Sequence, residues 1–516
     1  MDRNMEIAFL VAILALSGCS GGGSSSGGGA DYLSSPASSG STNTGSGSGA
    51  TASGSYSIGG TVTGLSGSGL ALQLNGGAPV SVAADGTFTF PTALPSGTAF
   101  SVTVSTQPAV SREICAVSIG TGTVSAANIA NVVINCSAVI GFLYQLSPNQ
   151  NQIYPYGISA GTGLLIAFGT PVAAGPAPAA ITVAPGGNYL YVTNSNIADS
   201  NPSGLPGSVS TYAVNSGTGE LTPVGSPVAA GRGSGPTAIS SSGYLFVYNG
   251  NDGSVNPPAP AGPQTLVEYA LDPSRGTPSL IGTMLTFPST AETSFVVTPD
   301  GRFLYVLAGS PSLNTPISNM LTVYAIDPAT GALTPRSSIL PGNNVVVMTI
   351  DPLGRFLYLT NSLGTPFQES GTVQPYAIDS SSGALTAIGT ATPVVTNGGG
   401  MAADPTGNYL YLISNLNFDA ASNTIQALNV DAGTGSVATI GSILPTAGPP
   451  SEVLCDQSGQ FVFVQSGSLS VSDPSTGLVL TTFSISTSPD TAGQLISSGP
   501  SQPSASQSGG PIAIVE

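Results

Sequence analysis

Few side chains in this sequence could do acid–base chemistry. Its 516 residues contain no histidine, lysine or tryptophan, and seven arginines face 24 acids. Hydrolytic chemistry needs a base to activate water and a cation or N–H group to steady the developing oxyanion. The one pairing on offer is Glu452 or Glu292 as base with Arg232 as cation. The amides of Asn343, Asn344 and Asn397 are candidate ligand contacts, while Asp199, Asp252, Glu369 and Asp419 lie in long polar loops. For every one of these residues the plain alternative is a solvated loop side chain. Arg302 and Arg355 occupy a turn position that Asn188, Asn408 and Gln460 fill elsewhere, so they read as turn residues.

The same composition excludes whole classes of function. Without histidine there is no imidazole catalysis and no histidine metal site. Cations are too scarce to displace the counterions of nucleic acid. No dense Asp-x-Asp loop suggests calcium, and the Asp-Pro-x-x-Gly segments are turn chemistry. No cofactor and no metal are expected. A G-x-S-x-G match means nothing in a chain with 69 glycines and this much serine.

The elements that must position these residues follow a clear order. An apolar run from Ile7 to Leu16 is too short to span a bilayer and suits a signal-peptide core. It runs into Leu16-Ser17-Gly18-Cys19, which resembles the lipobox of bacterial lipoproteins. That resemblance implies cleavage after residue 18 and acylation of Cys19. It also implies a lipid anchor in the outer membrane or at the cell surface. Residues 19–54 are almost wholly small and polar and are expected to be a disordered tether.

Residues 55–137 carry short alternating runs such as Phe100-Ser-Val-Thr-Val104, with an Asp85-Gly86 turn. This predicts a β-sandwich similar to the immunoglobulin-like modules of bacterial surface proteins. Cys115 and Cys136 flank two of its runs and are expected to form a disulfide in an oxidising compartment. Cys455, in an apolar stretch, is expected to be an inert structural thiol.

From residue 138 an aromatic motif recurs seven times, from Phe142-Leu-Tyr144 through Tyr189-Leu-Tyr-Val192 and Phe303-Leu-Tyr-Val306 to Phe461-Val-Phe-Val464. A strand-only repeat of about 50 residues means propeller blades, so the fold class is all-β, with a seven-bladed β-propeller over 138–516. Tyr212, Tyr269, Tyr324 and Tyr376 recur at one place and read as inter-blade packing. The stretch 511–515 resembles an inner strand and is expected to complete the first blade and close the ring.

Tyr189-Leu-Tyr-Val-Thr-Asn194 and Tyr324-Ala-Ile-Asp-Pro-Ala-Thr-Gly-Ala-Leu-Thr334 resemble the repeat of bacterial lactonase-type propellers, the phosphogluconolactonase-like group with its YVTN repeat. Active members are associated with Arg, Glu and His around the channel. Here histidine is missing and Arg232 alone is well placed. The sequence therefore favours a non-catalytic, monomeric envelope protein that binds a protein, peptide or glycan. An extracytoplasmic lactonase or related hydrolase is the alternative, and a structural surface role comes third.

Overall fold

The computed structural model describes residues 54–516, apart from 110–111, 197–205, 251–262, 288–291, 310–318, 343–344, 363–370, 396–398, 415–422, 468–478, 499–501 and 504–510. The signal segment, Cys19 and the tether lie outside the described residues, as do Asn343, Asn344 and Asn397. Among the described residues the elements are all strands.

Two small sheets close over one core near the N-terminal end. One contains Ile58–Thr63, Gly86–Thr89, Glu113–Ile119 and the first part of Ile129–Ser147. The other contains Ala71–Leu74, Val80–Ser81, Ala99–Thr106 and Thr121–Thr123. Alternating apolar residues put Ile58, Leu72, Phe88, Phe100 and Ile134 between the sheets. Cys115 and Cys136 lie opposite each other on neighbouring strands and are joined by a disulfide.

The expected boundary at 137/138 falls inside a strand. Ile129–Ser147 pairs with Glu113–Ile119 along its first part and with Gln152–Ser159 along its last, so one continuous strand belongs to both modules. Arg112 reinforces the junction by donating to the carbonyls of Ser216 and Ile140.

Seven propeller blades then follow among the described residues, each built on four strands in order; blades 2, 5 and 7 add a short fifth strand, and blade 1 belongs to a larger sheet shared with the N-terminal module. Blade 2 runs through Pro178–Val183, Tyr189–Asn194, Ser208–Val214 and Leu221–Pro223. Blade 3 uses Ser234–Ile239, Tyr244–Asn249, Gln264–Leu271 and Pro278–Phe287. Blade 4 uses Glu292–Val297, Phe303–Gly309, Met320–Ile326 and Leu333–Ile339. Blades 5 and 6 start at Val345–Ile350 and Gly400–Ala403. Blade 7 uses Pro450–Cys455, Phe461–Ser466, Val479–Ile485 and Leu495–Ser497. Blade 1 takes its inner strand from the chain's end, where Ile512–Val515 pairs antiparallel with Phe142–Gln145.

The aromatic motif is the second strand of each blade, and its central ring is fully buried against the next blade. The hydroxyls of Tyr144, Tyr191, Tyr305 and Tyr411 donate to the carbonyls of Gly219, Gly276, Gly383 and Gly493, each in the turn between the third and fourth strands of the following blade. Those glycines hold a left-handed φ and lie flat against an aromatic ring, which a Cβ would strike. Tyr212 and Tyr269 tie in the other direction, donating to Ala173 and Ala229 of the preceding blade. Arg355 pairs with Asp351 at 2.9 Å and donates to the Ala432 carbonyl, while Arg302 donates to Ser380. Both arginines thus join neighbouring turns on the short-turn face.

Candidate functional site

The inner strands ring the propeller axis. Glu452 is third on the inner strand of blade 7 and is half-buried. Its Oε2 accepts the N–H of Ile512, 2.8 Å away on the inner strand of blade 1. Burial pushes its carboxyl up to about 7, and the Ile512 N–H pulls only weakly the other way. A carboxylate that takes up a proton near neutrality is suited to general-base work.

Around Glu452 lies a polar layer that the sequence reading missed. Gln465 stands cross-strand from it. Gln145 Nε2 donates to Gln465 Oε1 at 3.0 Å, linking blades 1 and 7, and Tyr156 donates to Gln145. Gln465 also donates to the Ser451 hydroxyl. A sequence signal existed: Gln145 replaces the apolar residue that follows the aromatic triplet in every other blade.

Arg232 sits half-buried in a Gly-Arg-Gly turn just before the inner strand of blade 3. No ion pair holds it among the described residues. Glu292 begins the inner strand of blade 4, its backbone opposite Gly309. Blades 3 and 4 are neighbours and blade 7 lies across the axis, so Arg232 and Glu452 could meet only through something bound between them. They form no ion pair with each other. Of the other described arginines, Arg112, Arg302 and Arg355 bind backbone carbonyls, while Arg275 stands in a third-to-fourth-strand turn and Arg336 is exposed on an outer strand.

A cavity of about 430 Å³ opens at the opposite, short-turn end, lined by 182–187, Ile239, Gln457, Val515 and Glu516. Its one acid, Glu516, accepts from the Gln457 N–H and is pushed upward by burial. No cation lines it. Cys455 is a half-exposed free thiol whose surroundings hold its pKa well above the usual range, so it is a poor nucleophile.

Residues 264–398 match the family described as "Lactonase, 7-bladed beta-propeller". The chain shares the seven-bladed β-propeller fold that this family has. Solved structures agree on this fold at low sequence identity. The periplasmic gluconolactonase of Pseudomonas aeruginosa is 19% identical with a TM-score of 0.53, over 73% of this chain and 99% of that one. A Bacteroides fragilis protein provisionally named a 6-phosphogluconolactonase is 17% identical with a TM-score of 0.53, over 73% and 98%. A Lactobacillus plantarum protein is 18% identical, also with a TM-score of 0.53, over 73% and 99%. No curated protein matches the chain.

Proposed function

We propose that the chain is a lactonase-type hydrolase acting on an uncharged cyclic ester, held at the bacterial envelope by a lipid on Cys19. The observation that supports it is Glu452: a carboxyl on an inner strand of the ring, with its proton equilibrium near neutrality. In this reading Glu452 activates water, and Arg232, reached across the channel, steadies the carbonyl oxygen as it gains charge. The substrate is uncharged because a phosphorylated one would need clustered cations, and Arg232 is the one guanidinium this reading brings to it. The test is hydrolysis of glucono-lactone and of its 6-phosphate by the wild type, Glu452→Gln and Arg232→Ala. The reading requires turnover of the neutral lactone that both substitutions depress. Equal rates in all three proteins would end it.

The missing histidine favours a second reading, a non-catalytic scaffold for an envelope protein, peptide or glycan. Glycan-array binding by a protein without lactone turnover would select it. The anchor has its own test: metabolic labelling with a fatty acid should mark the wild type and leave Cys19→Ser unmarked.

A further inference from the structure

In four blades a second-strand tyrosine donates its hydroxyl to a glycine carbonyl of the next blade, but two blades have phenylalanine there. These are Phe463 of blade 7 and Phe246 of blade 3, and the facing turns of the next blades carry Gly163, set against Phe461, and Gly331, set against Tyr244 and Glu268. Blade 7 makes good the loss from the adjacent strand. Thr482, directly cross-strand from Phe463, donates its hydroxyl to the Gly163 carbonyl at 3.2 Å. The corresponding partner of Phe246 in blade 3 is Glu268. Behind the tyrosines these positions hold Pro155, Thr211, Val323, Pro375 and Ala427, none of them ionisable.

The Glu268 carboxyl is fully buried and lies directly over Gly331: a Cβ added to that glycine would strike Oε1. Leu266 and Ala270 share its strand face, and Phe246, Leu304 and Ile326 pack beside them. Facing it are Tyr244 of its own blade and Tyr324 and Asp327 of blade 4; the inner strand of blade 4 brings Phe295 and Val297, and the outer strand of blade 3 has no titratable residue. Asp327 is exposed and engaged with the N–H groups of Ala329 and Thr330. Among the described residues no ion pair reaches Glu268, and neither of its oxygens accepts a hydrogen bond. An ionised carboxylate here would be uncompensated beside a carbonyl dipole.

We propose that Glu268 is a protonated carboxylic acid that stands in for the missing tyrosine hydroxyl, donating to the Gly331 carbonyl and making the seam between blades 3 and 4 loosen when the proton is lost. A protonated carboxyl carries the one O–H donor the site lacks. Burial lifts this carboxyl to about 8, so the proton is retained through neutrality. Because the folded state binds the proton more tightly than the unfolded chain, stability at this joint is full below the ordinary glutamate range. It falls as pH rises from there to about 8.

The test compares the wild type with Glu268→Gln, which keeps a donor without a titration, and with the double variant Phe246→Tyr, Glu268→Leu, which installs the tyrosine used elsewhere. The infrared carbonyl stretch of a protonated acid should appear in the wild-type-minus-variant difference at about pH 6 and vanish with a midpoint near 8. The wild-type Tm should fall more than that of either variant on going to about pH 9, by about 2 °C or more. If the Gln variant does not fold, the double variant supplies the same subtraction. Absence of the acid band, or melting curves that shift in parallel with pH, would overturn the proposal.

Discussion

Glu452 and Ile512 lie 60 residues apart in sequence, yet the Ile512 N–H donates to Glu452 Oε2 at 2.8 Å. This bond joins the inner strand of the last blade to the chain's final strand, which is the inner strand of the first. One carboxylate therefore ties the last blade to the first, and burial at that seam raises its proton affinity. The Gln145–Gln465 bond crosses the same seam. The site and the closure share residues, so substitutions there must be read for both effects.

As general base, Glu452 should give lactone turnover that rises with pH around its midpoint of about 7. Glu452→Gln should lower the rate by about 10²-fold or more and abolish that limb. A pH–rate profile for both proteins measures it, and an unchanged limb in the variant would remove Glu452 from the chemistry.

Titration of Glu452 also bears on stability. Its folded-state pKa is raised, so its contribution is full below the ordinary glutamate range and is lost as pH rises to about 7. Denaturant midpoints followed from acid to neutral pH should fall further in the wild type than in Glu452→Gln, by on the order of 1–3 kcal/mol in ΔG. Parallel profiles would contradict the raised value.

Removing residues 512–516 leaves Phe142–Gln145 without its inner partner and exposes the blade 1 core around Tyr144 and Leu146. Open-edged propellers lose their closure, so the Tm should drop by about 5 °C or more, if the protein accumulates at all. A truncated chain melting like the full one would show that the ring holds without its tail.

The tyrosine locks differ in a testable way. Tyr305 donates to Gly383, whereas the buried hydroxyl of Tyr358 has no partner. Tyr305→Phe should therefore cost about 1 kcal/mol, while Tyr358→Phe should be neutral or stabilising. Chemical denaturation of the two single variants decides it, and equal costs would refute the assignment.

Replacing Cys115 and Cys136 together by alanine opens a cross-link between residues 21 apart. The expected loss is about 3 kcal/mol in the N-terminal module. Because Ile129–Ser147 runs on into blade 1, hydrogen exchange should quicken at Phe142–Tyr144 as well. Faster exchange confined to residues before 129 would show that the shared strand does not couple the modules.

How much of this was legible in the sequence depended on whether the determinant was local. Alternation within strands, Asp and Gly at turns and the aromatic triplet repeat are short-range signals, and they set an all-β chain, seven blades and the closing strand. The number of ionisable groups was likewise fixed by composition, and with it the exclusion of imidazole chemistry. The continuous strand across 137/138 was hidden because local patterning does not change where one sheet hands over to another. The polar layer was hidden because Gln145 comes from the first blade, while Gln465 and Glu452 come from the last. Only closure of the propeller brings Gln145 to Gln465 and Ile512 to Glu452, and buries that glutamate enough to raise its carboxyl to about 7.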